Sequence, residues 1–137
     1  MREFVLDASF ALRWCFEDEV TPATEALLTT LQDQTAQAWV PGIWRYEVLN
    51  GLGKGIARGR LTREKAFLLW EELLALPIHT VEVPVDEKLL ELSIRHNLAV
   101  YDASYLSLTI SRVLPMASVD GKLQTITENL GFMVIKP

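Results

Sequence analysis

Cysteine is nearly absent from this chain. Cys15 stands alone, which excludes an internal disulfide and leaves one thiol suited to a reducing compartment. The two histidines, His79 and His96, form no set with Cys15 at metal-ligand spacing, so nothing reads as a zinc site. Long apolar runs are missing too. The longest are a few residues, far short of the ~20 that cross a bilayer. The opening Met1-Arg2-Glu3 leads into a run too short for a secretory h-region and lacks a small-residue cleavage site. These absences predict a cytoplasmic protein with no membrane partner. There is no basic excess: the net charge is −5, which argues against a strongly basic nucleic-acid binder, because phosphate affinity comes mainly from Lys and Arg. Repeats, linkers and low-complexity segments are also missing, so 137 residues read as a single domain, 1–137, large enough to bury a core.

What is present is an apolar fraction of 50% against 23% charged residues. That balance excludes disorder and leaves apolar surface to meet a partner chain. Short apolar runs alternate with helical spacing from end to end. Strands are expected at residues 4–6, 38–40, 78–83, 116–119 and 132–135, and helices at 8–16, 22–34, 43–58, 101–113 and 122–129. Two further helices begin after the caps Thr62 and Asp86. Their inward faces are read as Phe67, Trp70, Leu73 and Leu74 in the first, and Leu89, Leu90 and Ile94 in the second. The helix after Thr21-Pro22 is read as burying Ala26, Leu27 and Leu31. Alternating strands and helices mean α/β, a mainly parallel central sheet with helices on both faces.

The stretch Phe4-Val5-Leu6-Asp7-Ala8-Ser9 organises this pattern. A short buried strand ends by presenting a carboxylate at its carboxyl edge, where ligands bind in open parallel sheets. An Asp there also suits a helix N-cap. Repetition favours chemistry over capping: Asp120 follows the strand at Met116, and Glu47 and Asp102 fall in the opening turns of expected helices. If the first and fourth of the five strands are neighbours, right-handed crossovers bring their acids to one edge. Two carboxylates about 4 Å apart repel by roughly 4 kcal/mol at an effective dielectric near 20. Such a cluster protonates, pairs with bases or binds metal. Arg45 and Lys122 are the nearby bases, too few for four acids. Oxygen ligands without His or Cys select Mg²⁺ or Mn²⁺, and two such ions bring the charge close to neutral.

Gly51-Leu52-Gly53-Lys54-Gly55 lacks the phosphate-loop spacing and sits in a helix, where glycines thin the helix for close packing or bending. Lys54, Arg58, Arg60 and Arg63 form the densest basic patch, read either as an RNA-backbone contact or as a solvated helix end. The tryptophans are read mostly as core, with Trp14 and Trp44 alternatively serving an interface.

The runs Phe4-Val5-Leu6-Asp7-Ala8-Ser9, Tyr46-Glu47-Val48-Leu49-Asn50, Tyr101-Asp102-Ala103-Ser104-Tyr105-Leu106 and Ser118-Val119-Asp120-Gly121-Lys122-Leu123 resemble the successive motifs of PIN-domain ribonucleases, especially VapC-type toxins. The resemblance covers essentially the whole chain. It implies a three-layer α/β/α sandwich and a metal-dependent endoribonuclease acting on RNA, usually a homodimer inhibited by a small antitoxin. Asp7, Glu47, Asp102 and Asp120 match the metal-binding acids. Ser9 and Ser118 match small hydroxyl positions that orient metal-bound water. The glycine-rich segment departs from the family pattern for that helix, and the acidic total hides the RNA path. Two other readings stand beside this one: a non-catalytic RNA- or protein-binding module, and an aspartyl-phosphate phosphohydrolase, which would need an acid where the chain has Ser9.

Overall fold

Phe4, Val5 and Leu6 are wholly buried, as a central strand covered on both faces requires. In the computed structural model, which describes residues 1–137, they belong to β1 (Arg2–Leu6). The chain continues through α1 (Ala8–Arg13), a 3₁₀ turn (Glu17–Glu19), α2 (Pro22–Gln32), β2 (Ala36–Pro41), α3 (Ile43–Ala57) and α4 (Arg63–Leu74). It then forms β3 (Ile78–Val81), α5 (Glu87–His96), α6 (Val100–Arg112), β4 (Met116–Ala117), α7 (Gly121–Asn129) and β5 (Val134–Ile135). Thr21 and Thr24 exchange side-chain and backbone bonds as a capping box for α2, Thr62 accepts from Lys65 N to cap α4, and Asp86 caps α5. Asn97 ends α5 in the left-handed conformation.

All five strands are parallel, in the order β3-β2-β1-β4-β5. The chain builds leftward from β1 to β3 and then crosses back to β4. Right-handed crossovers therefore set α1 to α4 on one face and α5 to α7 on the other, giving the α/β/α sandwich, and the contacts of α1 with α3 and of α5 with α6 agree. The direction of winding reverses between β1 and β4, which opens a crevice at their carboxyl ends. Val5 pairs with Met116 and Leu6 with Ala117, and the Asp7 N–H donates to the Ala117 carbonyl at 2.9 Å. Asp7 and Ser118 thus leave the ladder side by side.

Three helices turn differently from the sequence reading. In α4 the buried positions are Ala66, Leu69 and Leu73, while Phe67 is 57% exposed and Leu74 also faces out. In α5 Leu89 and Ser93 face inward, leaving Leu90 and Ile94 53% and 66% exposed. In α2 Thr24 takes the inward place expected of Ala26, beside Leu27 and Leu31. In α4 and α5 the buried face turns part-way around the helix, keeping Leu73 and Leu89, while in α2 only the first inward position changes. α1 also stops at Arg13, because the chain turns at Trp14, whose Nε1 donates to the Thr24 carbonyl at 2.7 Å. Strands β4 and β5 are shorter than expected: Ser118 N still donates to the Ile135 carbonyl at 3.4 Å, and from Val119 the chain bonds to Ser9 at the α1 start. Cys15 is buried, and burial pushes its thiol up to about 11, which leaves it a packing residue.

Candidate functional site

Asp7 is 4% exposed, at the head of α1 where an aspartate would ordinarily cap. Its side chain makes no capping bond. Instead Ser9 Oγ and Ser118 Oγ both donate to its Oδ2, at 2.7 and 2.8 Å. Each hydroxyl in turn accepts a backbone N–H: Val119 donates to Ser9 Oγ at 3.3 Å and Asp120 to Ser118 Oγ at 3.1 Å. The two serines stitch the ends of β1 and β4 together around one carboxylate. From sequence they are expected to orient metal-bound water, and the structure gives their protons to Asp7.

Asp120 caps α7, its Oδ1 accepting from Leu123 N at 3.0 Å, and it remains exposed. Asp102 lies in the first turn of α6 and is half-buried. Glu47 projects from the second turn of α3, on the opposite face of the sheet from α6. Tyr105, one turn beyond Asp102, reaches across the crevice and donates its hydroxyl to Glu47 Oε1 at 2.7 Å. Tyr105 is wholly buried, and its oxygen also accepts weakly from the Ala8 N–H at 3.4 Å. No sequence signal marks it, because an aromatic at helical spacing reads as core.

The four acids share one edge and one electrostatic field. Burial raises Asp7 above the ordinary aspartate range, and the charge of Asp120 adds to it against the lowering effect of the serine bonds. Glu47 is raised by burial and then by Asp7 and Asp102, with the Tyr105 bond opposing. Asp102 is raised by burial and then by Asp7 and Asp120, with Lys122 opposing. The Tyr105 phenol is pushed up by burial and by the neighbouring Asp7 and Glu47 charges.

None of the four acids forms an ion pair. The ion pairs of the molecule join Arg13 and Arg60 to Glu19, Arg60 to Asp18, Arg95 to Glu91 and Lys136 to Glu128. Lys122 instead donates to the Asn97 carbonyl, and Arg45 is exposed without an acid partner. The set also stops short of contact: no group of three or more His, Cys, Asp or Glu side chains is gathered tightly enough to hold an ion as it stands. Carboxylates brought closer than this would repel one another unless positive charge lay between them. Hard oxygen donors lacking a basic partner are the donor set that suits Mg²⁺ or Mn²⁺. An aspartyl-phosphate centre suits them less, since the position two residues beyond Asp7 is a serine already bonded to it.

A sequence profile of the PIN domain matches residues 4–129. Ribonuclease VapC3 from Pyrobaculum aerophilum is 36% identical over 90 residues, covering 62% of this chain and 62% of that protein. The match therefore spans less than two thirds of that relative's length. The crystal structure of PAE2754, also from Pyrobaculum aerophilum, superposes with a TM-score of 0.76 at 21% identity, covering 98% of this chain and 84% of that one. VapC20 of Mycobacterium tuberculosis, described as a sarcin-ricin loop cleaving toxin, superposes with a TM-score of 0.67 at 14% identity over 98% of this chain and 99% of that one.

Proposed function

Because this chain belongs to the PIN-domain family, we propose that it is a Mg²⁺- or Mn²⁺-dependent endoribonuclease of the VapC toxin type, hydrolysing RNA phosphodiester bonds. One observation carries this reading. Three carboxylates with raised affinity for protons, Asp7, Glu47 and Asp102, face the β1/β4 crevice beside Asp120 with no cation paired to any of them. The name of the curated relative, a ribonuclease, supports the same substrate class.

Asp7, Glu47, Asp102 and Asp120 would hold the ion. Divalent metal among such acids supplies Lewis acidity, lowering the pKa of a bound water and offsetting charge on the phosphate. The chain's own contribution is positional. Ser9 and Ser118 lock the rotation of the Asp7 carboxylate, Tyr105 steers Glu47 from across the crevice, and the α7 amide of Leu123 fixes Asp120. A toxin of this kind requires restraint in its own host, so the proposed partners are RNA, a second copy of the chain and an antitoxin protein. The exposed apolar side chains of α3 and α4, among them Leu49 and Phe67, support protein partners of this kind.

Purified protein incubated with RNA and Mn²⁺ is expected to cut it internally. Excess EDTA should abolish the cleavage, and Asp7→Asn should reduce it by about a hundredfold or more, on the order of 3 kcal/mol in the barrier. Cleavage that persists in EDTA and in Asp7→Asn alike would remove the metal mechanism.

A further inference from the structure

A second cleft, of about 270 Å³, lies between α1 and α3, beside the acid crevice. Ser9 and Val119 form the wall it shares with the carboxylates, since Ser9 bonds Asp7 and accepts from Val119. The floor exists because α3 is thinned there. A methyl at Gly51 would lie 2.5 Å from Leu12 Cδ1, and one at Gly55 would lie 2.9 Å from the Phe16 ring. Gly51 lets Leu12 of α1, and Gly55 lets Phe16 just after it, sit against the α3 backbone. The rim is basic, carrying Arg13, Lys54, Arg58 and Arg60.

One acid lines this cleft, Glu19, and it is already engaged by Arg60 at 2.8 Å and Arg13 at 3.6 Å. Arg60 is further held by Asp18 at 2.8 Å and stacked 4.2 Å over the Phe16 ring. Lys54 on α3 and Arg58 at its C-cap, four residues apart, form no ion pair and are exposed. In a chain of net charge −5, a positive cleft with two uncommitted cations abutting an acidic crevice is a local inversion of charge. Arg63, adjacent in sequence, does not take part. It lies 4.7 Å over the Phe67 ring on α4.

We propose that this cleft is a phosphate-backbone subsite for the RNA strand flanking the scissile bond, with Lys54 and Arg58 as its contacts. The inference rests on the RNA-hydrolysing reading above and names where that substrate lies. Cations that contact phosphates without touching base edges raise affinity regardless of sequence. The subsite therefore contributes binding and register, and base selection belongs elsewhere.

The test uses the full chain and a fluorescently labelled single-stranded RNA, with binding followed by anisotropy over a salt series and cleavage followed in Mn²⁺. The double variant Lys54→Gln with Arg58→Gln should lower the slope of log affinity against log salt by about 1.4, the loss of two contacts at about 0.7 each. Its KM should rise about tenfold at moderate salt with kcat little changed, and Lys54→Arg with Arg58→Lys should restore both. Arg2→Gln with Arg112→Gln, at the opposite edge of the sheet, should change neither. An unaltered slope and KM in the Gln pair, with the same preparation still cutting RNA, would overturn the subsite and leave the nuclease reading intact. Wild-type protein that binds but does not cut would overturn the nuclease reading while the slope still decides the subsite. Failure of the wild type to bind RNA at all would overturn both.

Discussion

Tyr105 sets how Glu47 is presented to the crevice. Its hydroxyl is the side-chain hydrogen-bond partner of that carboxylate, and it arrives from the helix on the far face of the sheet. Tyr105→Phe keeps the buried ring and deletes this one bond. Partners that orient a metal ligand typically contribute 10–100-fold in affinity, so the variant should bind Mn²⁺ about tenfold more weakly in calorimetry. Losing a hydrogen bond to a charged group should also cost about 1.5–3 kcal/mol in urea unfolding. Undiminished Mn²⁺ affinity in Tyr105→Phe would make the tyrosine a core residue with an incidental contact. Asp7 was legible in the sequence through repetition: an acid after a buried apolar run also suits a helix cap, and the same device at Asp120 is what sets it apart. Tyr105 was not, because its partner is 58 positions away and only the folded crevice brings the two together. The serines fall between these cases: their positions were marked, and their role became visible only when β4 was placed beside β1.

Among the elements, α3 combines proposed site residues with a composition unfavourable to helix. It bears Glu47 near its start and Lys54 near its end, with Arg58 as its C-cap and three glycines between. The glycines are not equivalent. Nothing lies within 4 Å of a methyl placed on Gly53, whereas one on Gly55 would meet Phe16 Cε1 at 2.9 Å and Leu61 Cδ1 at 3.0 Å. Gly53→Ala should therefore stabilise the protein by about 0.8–1 kcal/mol through helix propensity. Gly55→Ala should destabilise it by about 1–3 kcal/mol, because a buried ring must shift. Thermal unfolding of the two variants side by side checks the pair, and equal effects of one sign would show that α1 does not pack as described. From sequence the glycines read as thinning the helix, and that holds at Gly51 and Gly55. The facing of α2, α4 and α5 was harder to read. Their apolar residues are numerous enough to fill more than one stripe, so Phe67, Leu90 and Ile94 look like core until the neighbouring elements choose a side.

For the molecule as a whole, strand order is what turns scattered acids into a site. Alternating strands and helices made a parallel sheet legible, but local pattern does not say which strands are neighbours. The crossover from β3 back to β4 places β4 on β1, and Asp7 and Asp120 come together only through it. The site then opposes folding. Asp7, Glu47 and Asp102 all have folded-state affinities for protons above their ordinary values of 3.8, 4.5 and 3.8. In the window between those values and the raised ones the native state binds more protons than the unfolded chain. Stability without metal is therefore greatest below about pH 4 as far as these groups decide it, declines as pH rises through the window, and stays reduced above it. The proposed divalent cation should reverse the sign, since it would bind the ionised carboxylates of the folded state.

The decisive measurement is the thermal stability of the purified protein from pH 4 to pH 8, in EDTA and in Mn²⁺, for the wild type and Asp7→Asn. In EDTA the wild type should lose stability as pH rises. Mn²⁺ at a hundred times its dissociation constant should restore about 2.7 kcal/mol near neutral pH, and Asp7→Asn should flatten the pH response and lose most of the response to Mn²⁺. A wild-type melting curve indifferent to Mn²⁺ throughout that range would contradict the claim that these acids form a cation site.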